Sequence, residues 1–283
     1  LYSMQNNNSC KVTFSLVLYK QDLDELRKVL QSILLYKGEK KIFVVDNSPA
    51  DYSASQLCEM DACIVYEHLP QNVGFGKAHN WAIAEAAKLN SQFHVIVNPD
   101  INYAVDVVEP MLHYMEQHPE IGEMMPRILY PNGKEQYLPK LMPTPKMLVA
   151  RRIKKLLPKV HAHYMERFEM RGMQHDQVYD IGHVSGCFAM FRMEALQFAK
   201  GFDDRFFMYF EDTDLSRRIH ARYRTVYYPM VTVNHDYGNG ASRNTRLFFI
   251  FLTSLAQYFN KWGWMFDKER RVCNKNFLKQ INL

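Results

Sequence analysis

The stretch Val95-Ile96-Val97-Asn98-Pro99-Asp100-Ile101 constrains the fold of this chain more than any other. Its β-branched, uncharged start has the character of a strand buried on both faces. Pro99 has no N–H to give a sheet ladder, so the strand must stop there. Asp100 is then carried just past a carboxyl end of the sheet, the edge at which open α/β sheets take up ligands. An aspartate in that place also serves as an ordinary turn residue. Its meaning depends on what else the chain brings to that edge.

The residues before it alternate between two periods. Residues 12–19 (VTFSLVLY) read as a strand and 22–35 as a helix, with Leu23, Leu26, Leu30, Ile33 and Leu34 on one face and Asp22 as N-cap. Residues 41–45 and 64–68 read as the second and third strands, 77–89 as a helix and 93–97 as the fourth strand. This alternation predicts an α/β fold, with a mixed, mostly parallel central sheet flanked by crossover helices. Three strand-end loops then bring Tyr19, Asp46-Asn47 and Asp100 toward one crevice. Asp46 either accepts the imide N–H of a pyrimidine ring or closes an Asx-turn ahead of Ser48-Pro49. The loop Asn72-Val73-Gly74-Phe75-Gly76 permits close backbone approach, and Lys77 at the helix start is placed to meet a phosphate. It is not the three-glycine dinucleotide fingerprint.

The second half is less regular. A helix over 109–118 and a strand over 121–130 lead to a turn at Pro131-Asn132-Gly133. Periodicity fades over 139–177, where Arg151, Arg152, Lys154 and Lys155 interrupt an apolar setting. Residues 146–157 read as one amphipathic, surface-lying helix, either touching a membrane face or a phosphate-bearing acceptor, or simply solvated. Ser185-Gly186-Cys187 opens a further strand. An aromatic wall, residues 206–210, then precedes Glu211-Asp212-Thr213-Asp214. Three acids in four residues repel one another and are tolerated as helix caps or where they serve a cation or substrate. Asp214 can pair with Arg217 or Arg218 at helical spacing. Glu211 and Asp212, read as lying before the helix, can take a proton from an alcohol. Residues 226–233 form another strand, with Pro229 marking an edge or a bulge, and it ends at His235.

Five cysteines without a C-x-x-C pair read as reduced thiols of a cytoplasmic protein. The net charge of +5 suits a partner bearing phosphate, or is an ordinary basic surface. No secretory leader is visible, and the apolar run 247–256 is too short to span a bilayer. Residues 244–266 are apolar and aromatic, and Lys268, Arg270, Arg271, Lys275 and Lys279 follow. They form either an interfacial helix on the inner leaflet or a helical pair packed on the core.

At Asp46-Asn47-Ser48, Asn72-Val73-Gly74-Phe75-Gly76, Asn98-Pro99-Asp100 and residues 207–215 (FMYFEDTDL), the chain resembles glycosyltransferase family 2, in particular its rhamnosyltransferase-type branch. The resemblance implies the GT-A type nucleotide-diphospho-sugar transferase fold and an inverting, metal-dependent transfer. It implies nucleotide contacts from Tyr19, Asp46, Asn47, Asn72, Gly74, Lys77 and Asn98, with Asn98-Pro99-Asp100 standing where the family usually has Asp-x-Asp. It implies Asp212 as general base with Glu211 its neighbour in the acidic pair. Asp100 and His235, 23 residues after Asp212, would hold Mn²⁺ or Mg²⁺, and Ser185-Gly186-Cys187 would border the acceptor.

The donor implied by the branch is dTDP-rhamnose, with a UDP-hexose as the alternative. The acceptor is a glycan or a polyprenyl-diphosphate-linked glycan of a bacterial surface polysaccharide, met by peripheral contact with the inner membrane leaflet. The expected organisation is a polar lead-in over 1–10 containing an expression remnant before Met4, then a catalytic domain over 11–240. That domain divides into a nucleotide half (11–102) and an acceptor half (103–240) with a basic insertion at 139–178, and an amphipathic helical tail covers 241–283. A sugar-phosphate nucleotidyltransferase would want a glycine-rich loop after the first strand, and residues 18–21 offer no glycine. A nucleic-acid binder is disfavoured because the arginines are not interleaved with stacking rings.

Overall fold

In the computed structural model the described residues are 10–49, 54–152, 154–236 and 245–282. Residues 1–9 of the expected lead-in lie outside them. Nine strands form one sheet: β1 (Val12–Leu18), β2 (Lys40–Asp46), β3 (Ile64–His68), β4 (Phe93–Val97), β5 (Ile101–Asn102), β6 (Ile121–Leu129), β7 (Tyr179–Asp180), β8 (Phe188–Arg192) and β9 (Arg224–His235). Their order is β3-β2-β1-β4-β8-β6-β9-β5, with β7 also paired to β9. The block β3-β2-β1-β4 is all parallel. β8 then runs antiparallel between β4 and β6, so the second half is mixed.

The apolar runs of the sequence explain the core. Every residue of β4 is buried, as is nearly all of β1. A polar ladder crosses that apolar block. Thr13 Oγ1 stands 2.8 Å from His94 Nδ1, Ser15 Oγ 2.8 Å from His94 Nε2 and 2.7 Å from His79 Nδ1. Burial pushes both imidazoles down, His94 to about 3, so the rings are neutral.

Among the described residues, nine α-helices flank the sheet. α1 (Leu23–Ile33) is capped by Asp22, whose carboxylate accepts from the Asp24 and Glu25 amides. α2 (Phe75–Lys88) begins two residues earlier than expected, because Gly74 adopts φ 92° and turns the chain directly into the helix. α3 (Val108–Gln117) precedes β6. The helix expected over 146–157 is shorter, α4 (Pro145–Arg152), and a second, unforeseen helix, α5 (Pro158–Phe168), follows past its expected end. Pro158 suits a first turn, so α5 starts there. α6 (Met193–Ala199) stops at Lys200 and Gly201, both left-handed.

α7 (Glu211–His220) opens on the acidic cluster itself, so Glu211 and Asp212 are its first residues and do not precede it. Tyr209 and Phe210, both left-handed at φ 69° and 65°, aim the chain into it. Pro229 lies at an irregularity of β9: Pro126 pairs with Tyr228, but Arg127 pairs with Thr232. α8 (Thr245–Trp262) and α9 (Lys268–Lys279) pack on the domain as a pair. Tyr258 and Phe259 are buried in one cluster with Phe206 and Phe210. Arg217 holds Asp267 at 2.6 and 2.9 Å and Glu269 at 2.9 Å. No described helix is long and apolar enough to cross a membrane.

Candidate active site

Four segments far apart in sequence meet around the turn Ser185-Gly186-Cys187. The Cys187 carbonyl accepts from the Asn98 N–H at 2.8 Å, and the Gly186 N–H donates to Asp212 Oδ2 at 3.2 Å. The turn Ser185-Gly186-Cys187 thus ties the proline-stopped end of β4 to the start of α7. A side chain at Gly186 would press on the Phe75 ring at 3.1 Å and stand 3.6 Å from Asp212 Cβ. Beyond β4, Ile101 pairs with His235 and the Asp100 carbonyl accepts from Asp236. Cys187 is buried beneath this meeting point. Burial first, then the Asp100 and Asp212 charges, push its thiol up to about 12.

Asp100 Oδ1 lies 3.2 Å from His235 Nε2. The far nitrogen of that ring is committed. Gln136 Nε2 donates to the His235 carbonyl at 2.7 Å, which orients the amide, and Gln136 Oε1 therefore accepts from His235 Nδ1–H at 2.9 Å. Nε2 is left facing the Asp100 carboxylate. Adjacent ligands on a small octahedral cation stand about 3 Å apart, so this pair suits two positions on Mn²⁺ or Mg²⁺. Among the described residues, no group of three His, Cys, Asp or Glu side chains is arranged to hold a metal ion. Other ligands would come from donor phosphate and water.

Asp212 and Glu211 adjoin but differ in kind. Asp212 keeps its side chain 22% exposed and accepts from the Thr213 N–H at 2.7 Å. Glu211 is buried, and its Oε2 finds no hydrogen-bond partner among the described residues. Burial, with the Asp212 charge beside it, pushes the Glu211 carboxyl well above the ordinary range. Asp212 is the more accessible carboxylate of the two. Asp214, fully buried, is structural: it accepts from Arg218 at 2.7 Å and from Trp262 Nε1 at 2.7 Å.

His183 completes this corner, unforeseen from the sequence. Its Nδ1 lies 3.0 Å from Thr213 Oγ1 and its Nε2 3.8 Å from Asp212 Oδ2. Burial lowers its ring to about 4 against the opposing pull of Asp212. Gln136 and His183 share one reason for being missed. Only sheet pairing brings them to the site, and no local motif marks them.

The nucleotide side departs from expectation in two places. Asp46 is fully buried; its Oδ1 accepts from Ser48 N–H and its Oδ2 from the Tyr66 hydroxyl, both at 2.8 Å. The Asx-turn is therefore the form it takes, and both oxygens already have donors inside the protein. The glycine loop is a clamp and not an open phosphate cradle. The Val73 amide donates to Asn47 Oδ1 at 3.2 Å, Gly74 to Asn72 Oδ1 at 3.0 Å and Phe75 to the Phe207 carbonyl at 2.9 Å. Asn47 Nδ2 adds a bond to the Gly74 carbonyl at 3.1 Å. A Cβ at Gly74 would collide with the Phe207 carbonyl. Lys77, in the first turn of α2, reaches toward Asp204 at 3.9 Å. Tyr19 stands exposed at the tip of β1, beside a Lys20 amide bonded to Ser48 Oγ at 2.7 Å. Asn98 is half-buried at the mouth.

Comparison with known proteins agrees with this architecture. The sequence profile described as Glycosyl transferase family 2 matches residues 16–198. N-acetylglucosaminyl-diphospho-decaprenol L-rhamnosyltransferase from two strains of Mycobacterium tuberculosis is 26% identical over 189 residues, 61% of this chain. The match spans 59% of those relatives' length. A crystal structure of GalNAc-T7 with UDP, GalNAc and Mn²⁺ superposes with a TM-score of 0.62 at 12% identity, over 98% of this chain and 56% of that one. It shares the fold.

Proposed function

This chain belongs to glycosyl transferase family 2 and is a glycosyltransferase, and from that premise we propose that it moves L-rhamnose from dTDP-rhamnose, with inversion, onto a hydroxyl of a polyprenyl-diphosphate-linked glycan. The observation that carries this reading is the peptide Gly186-Cys187, bonded on one side to the Asn98-Pro99-Asp100 turn and on the other to Asp212. It sets a carboxylate–imidazole pair and an accessible carboxylate on two flanks of one turn.

On this reading Asp212 accepts the proton of the acceptor hydroxyl as that oxygen attacks the anomeric carbon. Such help is worth about 10²- to 10⁴-fold. Buried Glu211 is withdrawn from the acceptor, and the Thr213 amide on Asp212 Oδ1 holds the base in orientation. Asp100 and His235 would hold a divalent cation, Mn²⁺ or Mg²⁺, which when bound neutralises charge on the donor diphosphate. Tyr19, Asn72 and Asn98 line the donor side, and the Asn47 clamp and the Asp46 turn shape its floor. Ser185 borders the acceptor. Residues 11–240 form the catalytic domain in this scheme, with 139–178 as its insertion. The lipid-linked acceptor is met at the cytoplasmic face of the membrane by peripheral contact. A UDP-hexose donor is the second reading, favoured by the fold shared with a UDP-bound enzyme.

The test is Asp212→Asn. It should cut transfer from dTDP-rhamnose at least about 10²-fold while calorimetric affinity for the donor with Mn²⁺ stays within about twofold. Turnover close to wild type removes Asp212 from the base role.

A further inference from the structure

Lys140 is a half-buried cation that the fold leaves without a counter-ion beside the reacting groups. Other partly buried cations have partners: Arg192 donates to the Met115, His118 and Ile121 carbonyls, and several others meet carboxylates. Arg218 meets Asp214 at 2.7 Å, Arg224 meets Asp180 at 2.8 Å, and Lys261 meets Asp203 at 2.7 Å and Asp214 at 2.6 Å. Among the described residues no carboxylate lies within ion-pair distance of Lys140. Its backbone is fixed: it bridges antiparallel to His183, and its carbonyl accepts from the Gly182 N–H at 2.9 Å. The side chain therefore belongs to the same corner as His183, Thr213 and Asp212. Burial, with Arg151 nearby, pulls its ammonium below the ordinary lysine value, and the more distant charges of Glu169, Asp212 and Cys187 pull it back. A cation withdrawn from water without a partner is a cost that a bound anion offsets.

We propose that Lys140 binds a phosphate of the acceptor, carried on the same sugar whose hydroxyl faces Asp212. This rests on the transfer reading above and names what that site must recognise. The side of the turn decides against the donor phosphate. Asp100 and His235 lie on the Asn98 flank of the Gly186-Cys187 peptide, whereas the register ties Lys140 to His183 on the Asp212 flank. A sugar seated over Asp212 with a diphosphate on its anomeric carbon presents that phosphate about one ring away from the reacting oxygen. An ammonium, a mobile point charge on a long stem, suits such a contact.

The experiment compares wild type, Lys140→Met and Lys140→Arg with two acceptors at saturating donor. One is N-acetylglucosamine on a short polyprenyl diphosphate; the other is an uncharged alkyl glycoside of the same sugar. Lys140→Met should raise KM for the diphosphate acceptor about tenfold or more and for the glycoside less than about twofold, and Lys140→Arg should recover most of the loss. In a thermal-shift arm that needs no turnover, the diphosphate acceptor should raise the melting temperature of wild type and leave that of Lys140→Met unmoved. Equal KM rises with both acceptors, a rise confined to donor KM, or equal thermal shifts in both proteins overturn the assignment. If wild type transfers to neither acceptor, the transfer reading fails, and the thermal-shift arm still decides what Lys140 binds.

Discussion

The ring of His235 shows how much of this site is set by residues that touch no substrate. Gln136 grips it through both ring proton and backbone carbonyl, so Nε2 is kept as the nitrogen facing Asp100. Partners of this kind are worth about 10- to 100-fold in metal affinity. Gln136→Leu should therefore weaken Mn²⁺ binding by about that factor in calorimetry, with transfer partly recovered at high Mn²⁺; unchanged affinity removes Gln136 from this role. Asp100, Asp212 and His235 could be picked out from sequence because each closes a strand or opens a helix in recognisable company. Gln136 and His235 are 99 residues apart, and their meeting follows from strand pairing that no local pattern records. Asp46 illustrates the opposite difficulty. Its position at a strand end was plain, but whether its oxygens face a ligand or a turn depends on Tyr66, which only the fold brings to it.

At the scale of elements, period and punctuation located most strands within a residue or two, and β3 and β4 run as expected. The misread helix starts share a cause: a proline or a left-handed residue set a boundary that hydrophobic spacing could not see. Pro158 opens α5, and Tyr209 and Phe210 start α7 directly at Glu211. The ladder joining β1, β4 and α2 through His94 and His79 carries a pH consequence. Both rings stay neutral when folded and take up protons only on unfolding, where the ordinary value is about 6.5. Stability is therefore full above about pH 6.5 and falls as pH drops toward the folded value of His94, about 3. At pH 5 the His94 ring alone costs about 2 kcal/mol, and His79 acts in the same direction. The denaturant midpoint should drop between pH 7 and pH 5, and His94→Gln should flatten that slope. A slope identical in the variant would show that His94 does not supply it.

For the whole molecule, the tail resolves into a pair packed on the domain. Arg217, Asp267 and Asn274 bind α9 to α7 and to the Met142 backbone, and Trp262 reaches Asp214. Truncation before α8 would strip partners from a buried arginine, so it cannot test membrane contact cleanly. Leu156, Leu157 and Phe266 can. They are exposed apolar side chains, and Lys154, Lys155 and Lys268 lie close to them in sequence. Leu156→Ser, Leu157→Ser and Phe266→Ser together should leave the melting temperature nearly unchanged and lower recovery with anionic vesicles in flotation. Equal recovery rules these residues out as the contact.

The Gly186-Cys187 peptide has one more consequence. On the proposed reading, its two hydrogen bonds join the departing phosphate's flank to the arriving oxygen's flank, so this short segment sets the gap between them. A donor swollen on the face turned toward Asp212 should then be refused by spacing, without a dedicated contact to read it.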